Sequence, residues 1–165
     1  MCGIFSIYNF SHESLNDARK ALHTLTHRGP DQWGEWYDNK VYIGHRRLSI
    51  IDLSHNARQP LVSNDGNVIV AVNGEIYNYR VLKKELNAKY QFKSNSDSEV
   101  LIYGYMEWGI DKLLEKIDGM YAAIIYDKRS KNMFVLRDKF GKKPVFYRPY
   151  NQGFIITSEI KAIFN

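Results

Sequence analysis

The sequence predicts an α+β fold: two antiparallel sheets covered by helices. Three observations carry that prediction. Stretches with the two-residue alternation of strands come in groups, and amphipathic helical stretches lie between the groups. The sustained strand–helix–strand alternation that a doubly wound parallel sheet needs is absent. No internal repeat, low-complexity tract or linker divides the 165 residues, so residues 1–165 read as one domain with one substantial core, burying roughly 70% of its unfolded surface.

Taken in order, Cys2 to Tyr8 reads as a strand, with Phe5 and Ile7 alternating with Ser6. Leu15, Ala18, Leu22 and Leu25 then repeat at helical spacing behind Ser14 as N-cap, and Arg28-Gly29-Pro30-Asp31 ends that helix. Trp33 to Asp52 holds two strands joined at Asp38-Asn39-Lys40, with Trp36, Val41 and Ile43 facing inward. Ser54 to Pro60 is loop. Leu61 to Val72 is a second hairpin turning at Asn64-Asp65-Gly66, and Val68-Ile69-Val70-Ala71-Val72, apolar on both faces, is a buried central strand.

That strand runs into Asn73-Gly74-Glu75-Ile76-Tyr77-Asn78, an abrupt switch to polar and glycine chemistry at the end of a core strand. Leu82 and Leu86 mark the next helix. Ser96-Asp97-Ser98-Glu99 has the capping-box pattern and opens another, with Val100, Leu101, Gly104 and Trp108 buried and Gly109 as its stop. Ile110 to Ile117 forms one more short helix. Strands follow at Met120 to Tyr126, Met133 to Arg137, Val145 to Tyr150 and Phe154 to Thr157. A last helix over Glu159 to Asn165 ends on apolar residues without a cap, and the natural chain is expected to continue beyond it.

Composition narrows the function classes. No apolar run approaches the roughly 20 residues that span a bilayer, and no basic stretch precedes Cys2-Gly3-Ile4 as in a secretory leader, so a cytoplasmic protein with no membrane partner is expected. One cysteine cannot form an internal disulfide. The net charge of +5 raises an RNA-binding reading, but signs are interleaved, as in Asp127-Lys128-Arg129. The cluster Arg137, Lys139, Lys142, Lys143 and Arg148 is read as a solvated or docking face, and no nucleic-acid partner is expected. His23 and His27 stand at metal-binding spacing without further ligands, so no metal is expected; His45 and His55 are expected to be hydrogen-bonded structural groups.

Cys2 becomes the N-terminal residue if Met1 is cleaved. An α-amine with pKa about 7.7–8.0 is about one-third unprotonated at pH 7.5, whereas a lysine near 10.4 is free in roughly one molecule per thousand, so the amine can serve as base for the neighbouring thiol without burial. Thiol and amine together make a nucleophile that needs no histidine; the alternative is a small apolar residue on a strand. Asn73 and the Gly74 N–H can form an oxyanion hole or a simple turn. Arg47 can clamp a carboxylate or lie on the surface. Asp97 can receive an ammonium or sit in a first helical turn for its dipole.

Together these stretches resemble the class II glutamine amidotransferase domain, specifically the N-terminal glutaminase domain of asparagine synthetases. The resemblance runs through Cys2-Gly3-Ile4, Arg28-Gly29-Pro30-Asp31, Arg47-Leu48-Ser49-Ile50, Asn73 to Asn78, Ser96 to Glu99, Asp118-Gly119-Met120-Tyr121, Arg137 to Tyr147 and Ser158 to Ala162. It implies a four-layer α/β/β/α N-terminal-nucleophile hydrolase sandwich. It further implies Cys2 as nucleophile, Asn73 and Gly74 as oxyanion hole, and L-glutamine held by Arg47 at its α-carboxylate and by Asp97 at its α-ammonium, with Glu75 lining the pocket. The implied reaction releases ammonia through a glutamyl thioester and requires loss of Met1. The resemblance implies no cofactor in this domain, ATP and Mg belonging to a C-terminal synthetase domain outside this sequence. A non-catalytic glutamine-binding or docking domain, an acceptor other than aspartate, and assembly as a homodimer stay open.

Overall fold

The computed structural model describes residues 1–164. Among them the chain forms β1 (Gly3–Tyr8), α1 (Leu15–His23), β2 (Gln32–Tyr37), β3 (Val41–Arg47), β4 (Leu61–Val62), β5 (Val68–Ile76), α2 (Tyr79–Leu86), α3 (Val100–Lys116), β6 (Gly119–Asp127), β7 (Asn132–Arg137), β8 (Phe146–Tyr150) and β9 (Gly153–Thr157). One sheet has the order β2-β3-β1-β9-β8 and the other β4-β5-β6-β7. Every pairing is antiparallel.

The layering follows from the two-residue period of a strand. Along β5, Val68, Val70 and Val72 pack with Leu82 and Leu86 of α2 and Leu101 of α3, while Ile69 and Ala71 face the other way. Along β1 and β3, Phe5, Ile7 and Tyr42 pack against Ala18, Ala21 and Leu22 of α1. Their alternate residues Ile4, Val41 and Ile43 meet Ile69, Ala71, Ile124 and Tyr126 of the opposite sheet. Three apolar seams therefore separate four layers: α1, the five-stranded sheet, the four-stranded sheet, and α2 with α3. Trp36, Val41 and Ile43 join the inter-sheet seam, as the alternation predicts. Among the described residues, no helix is long and apolar enough to cross a membrane.

The structure departs from the sequence reading at several boundaries. β3 ends at Arg47 and not near Asp52. β5 passes through the polar switch to Ile76 because β6 supplies a partner for every residue, down to Ile76 opposite Gly119. Gly74 makes this close pairing possible: a Cβ there would lie 2.1 Å from the Met120 carbonyl oxygen. The capping box does not form. The Ser96 hydroxyl accepts from the Ser98 N–H (3.2 Å), the Glu99 carboxylate turns back to the Lys93 and Ser94 N–H groups (2.8 and 2.9 Å), and the helix starts at Val100, three residues after the Asp97 that such a box would make its first. Ser14 stands at the start of α1 without capping it; its hydroxyl meets that of Tyr150 at 3.3 Å. Gly109, at φ 75°, breaks the helical run and helix resumes directly after it, as the sequence reading has it. The last predicted helix is a 3₁₀ turn, Ile160–Ile163; Asn165 lies outside the described residues.

Candidate active site

Cys2 lies just ahead of β1, whose register sets Gly3 opposite Arg46 and Ile4 opposite His45 on β3. Its Sγ lies 3.8 Å from the Leu48 carbonyl oxygen. Its own carbonyl accepts a 2.8 Å hydrogen bond from Nε of Arg28, whose Nη1 bonds Glu159 at 2.8 Å. Cys2 is thus held at its carbonyl by Arg28 while its side chain lines a cavity of about 340 Å³. That volume falls at the small end of the roughly 300–1,000 Å³ usual for ligand sites.

All six residues singled out from the sequence line this cavity: Cys2, Arg47, Asn73, Gly74, Glu75 and Asp97. They come from both sheets and from the segment ahead of α3. Asn73 continues the Ile69–Ala71 alternation and so projects toward the sheet that carries Cys2. It is 1% exposed, yet neither its Oδ1 nor its Nδ2 has a hydrogen-bond partner. Burying an unpaired amide costs about 1–3 kcal/mol, so both polar atoms of Asn73 are open to a partner.

Arg47 is buried and already engaged. Nη1 donates to Oε1 of Gln32 (2.9 Å), and Nη2 donates to the Ile51 (2.9 Å) and Asp52 carbonyls. The N–H groups left over, on Nε and Nη1, do not share an edge of the guanidinium, so a two-pronged grip on a carboxylate requires one loop carbonyl to let go. Asp97 is buried, and its Oδ2 accepts the Ile76 N–H at 2.8 Å. Burial raises its pKa; the Ile76 hydrogen bond opposes the rise and nearby Glu75 adds to it. Burial likewise raises the pKa of Cys2, against the Leu48 contact, the chain's terminal ammonium and Arg47, which lower it, while Asp97 adds to the rise.

Iodoacetamide tests this directly in the chain that retains Met1. Because the thiolate reacts and burial delays its formation, the alkylation rate is expected to keep climbing with pH beyond the point, near 8.5, where an ordinary thiol is half ionised. A rate already level at pH 8 would contradict a raised pKa.

The family described as "Glutamine amidotransferase domain" matches residues 1–165. The chain belongs to this family. Among its relatives, asparagine synthetase [glutamine-hydrolyzing] 2 of Bacillus subtilis is 41% identical over 170 residues, 100% of this chain and 22% of the relative. Asparagine synthetase B [glutamine-hydrolyzing] of Escherichia coli is 35% identical, over 99% of this chain and 30% of the relative. The amidotransferase chain thus spans less than a third of these curated relatives. A glutamine phosphoribosylpyrophosphate amidotransferase from B. subtilis, solved with ADP and GMP, superposes with a TM-score of 0.83 at 24% identity, covering 99% of this chain and 43% of that one. The likeness bears out the four-layer α/β/β/α sandwich.

The amidotransferase cavity also includes residues the sequence reading did not assign to it. Gln59, Ser98, Met120 and Lys143 line it, and Arg28 holds Cys2 from behind. Lys143 corrects the picture of one solvated basic face: it is buried in the cavity wall, and Arg137 is spent on the Lys143 and Gly141 carbonyls of its own loop. His23 accepts from Arg46 (3.1 Å) and His27 pairs with Glu159 (3.0 Å). His55 is exposed in a 3₁₀ turn and makes no side-chain hydrogen bond, contrary to expectation, whereas His45 is fully buried and bonded.

Proposed function

We propose that Cys2, freed of Met1, hydrolyses L-glutamine to L-glutamate and ammonia, and that the ammonia serves the amidation of a carboxylate, aspartate by analogy with the relatives' names. The observation that carries the reading is the unpaired, buried Asn73 amide facing the same cavity as the only cysteine. In the proposed cycle the Cys2 α-amine takes the thiol proton, Sγ bonds to the carboxamide carbon, and the Asn73 Nδ2–H and Gly74 N–H hold the oxyanion. The carbon–nitrogen bond then breaks, and the ammonium form of the amine returns its proton to the leaving ammonia. Water hydrolyses the glutamyl thioester, releasing glutamate and restoring the thiol. Asp97 and Arg47 take the ammonium and carboxylate of the substrate, with Glu75 beside them. ATP and Mg would act only in a synthetase domain outside this chain.

Intact mass and a trapping assay test this. Loss of one methionine, glutamine-dependent ammonia release, and γ-glutamyl hydroxamate formation in hydroxylamine are expected together. A chain that keeps Met1, binds glutamine and releases no ammonia would instead support the non-catalytic binding reading.

Arg47→Ala is expected to raise KM for glutamine by roughly 2–4 kcal/mol, a factor of about 30 or more. Arg47→Lys is expected to recover little, since one ammonium cannot replace the fork that spans Gln32, Ile51 and Asp52. An unchanged KM would remove Arg47 from the pocket.

A further inference from the structure

The two groups that must meet in the proposed reaction lie on different sheets: Cys2 leads into β1 of one, and Asn73 is on β5 of the other. Apolar packing between sheets opposes their separation but is non-directional, whereas a hydrogen bond adds a directional tie with a preferred length of about 2.7–3.2 Å. At the end of the sandwich away from Cys2, two tyrosine hydroxyls make such links, Tyr8 to the Lys131 carbonyl (3.2 Å) and Tyr126 to Asp38 (3.4 Å). At the Cys2 end the link is His45.

His45 is on β3 directly opposite Ile4, two residues from Cys2, and is 0% exposed. Its Nε2 lies 2.9 Å from the carbonyl oxygen of Val72, the residue before Asn73. A carbonyl only accepts, so Nε2 carries the proton and Nδ1, buried without a partner, is bare. That tautomer requires a neutral ring; burial holds the pKa down to about 4, although the Val72 bond opposes the fall. The Val72 group is available because β4 pairs with β5 only at Val70 and Ile69, leaving this edge of β5 open farther along. Gln59 takes the other half of the same peptide edge, its Oε1 accepting the Val72 N–H at 2.6 Å.

We infer that His45 is a positioning residue for glutamine hydrolysis: through Val72 it ties the oxyanion-hole strand to the strand pair that carries the nucleophile, and so sets the gap between Asn73 and Cys2. It touches neither the thiol nor the substrate. The inference rests on the proposed Cys2 and Asn73 chemistry, and its test separates the two.

Wild type, Cys2→Ala, His45→Leu and His45→Gln are compared for glutamine hydrolysis, melting temperature and iodoacetamide alkylation of Cys2, a reaction that needs no oxyanion hole. His45→Leu is expected to lower kcat by roughly 10²-fold, the scale of a misplacement of about 1 Å, with KM and alkylation within about twofold of wild type. His45→Gln, which restores an N–H donor to Val72, is expected to recover most of that loss. Unchanged kcat in His45→Leu, or a glutamine variant no better than leucine, overturns the positioning inference and leaves the nucleophile reading standing. Undiminished turnover by Cys2→Ala overturns the reading beneath it. If His45→Leu does not fold, the imidazole ¹⁵N shifts of the wild type decide: a ring protonated at Nε2 at pH 7 is expected, and a neutral ring protonated at Nδ1 alone, which has no donor for the Val72 carbonyl, removes the bond and the inference.

Discussion

Cys2→Ala is expected to lower glutamine turnover by at least about 10⁴-fold, because the nucleophile has no substitute in the cavity. Among the described residues, the free thiol at Cys2 is the one sulfur nucleophile, and Ser98, the other hydroxyl or thiol lining the pocket, has its N–H and side chain drawn into the turn ahead of α3. The substitution should spare the fold. Cys2 is only partly buried, its side chain makes one weak contact, to the Leu48 carbonyl, and the Arg28 bond is to its main chain. Alanine also leaves a small residue behind Met1, so processing is unaffected. Ammonia release by the two proteins, with melting temperature as control, decides the matter; equal rates would remove Cys2 from the chemistry.

Asn73→Ala is expected to lower kcat by about 10²–10³-fold, the usual cost of one oxyanion donor, with little change in KM. Its melting temperature is expected not to fall. Wild type buries an amide whose oxygen and nitrogen are both unpaired, a burden of about 1–3 kcal/mol that alanine removes, offsetting lost packing. Activity and stability then move in opposite directions, as expected where a group is kept for function at the expense of the resting fold. A loss of stability matching the loss of rate would mean that Asn73 is structural, and a loss carried by KM would mean that it binds substrate without favouring the oxyanion.

The six cavity residues were picked out by the resemblance, which rests on the order and spacing of the whole set of motifs; taken singly, Asn73 reads equally as a turn, Arg47 as a surface arginine and Asp97 as a first-turn acid. A lone cysteine behind Met1, an Asn-Gly pair leaving an apolar strand, and an acid ahead of a helix are recognisable from neighbours within a few positions. The alternation of apolar residues likewise announced most strands and the inter-sheet positions Val41 and Ile43, since a period of two is a property of the strand itself.

Boundaries and support were not legible in this way. Asn73 to Ile76 looks like an exit from a strand until β6 pairs with each residue, and Glu99 reads as a capping-box acid until the chain folds Lys93 and Ser94 back toward it. Arg47 carries the right charge for a carboxylate, but its attachment to Ile51 and Asp52 arises only from the loop's path after β3. His45 and Arg28 resemble any other histidine and arginine in sequence; their importance comes from antiparallel register and from one sheet lying over another. The residue types available to line the cavity were therefore determined by the sequence alone. The spacing of Cys2 and Asn73 was decided only by the tertiary structure, because it depends on hydrogen bonds between groups 26 or more residues apart.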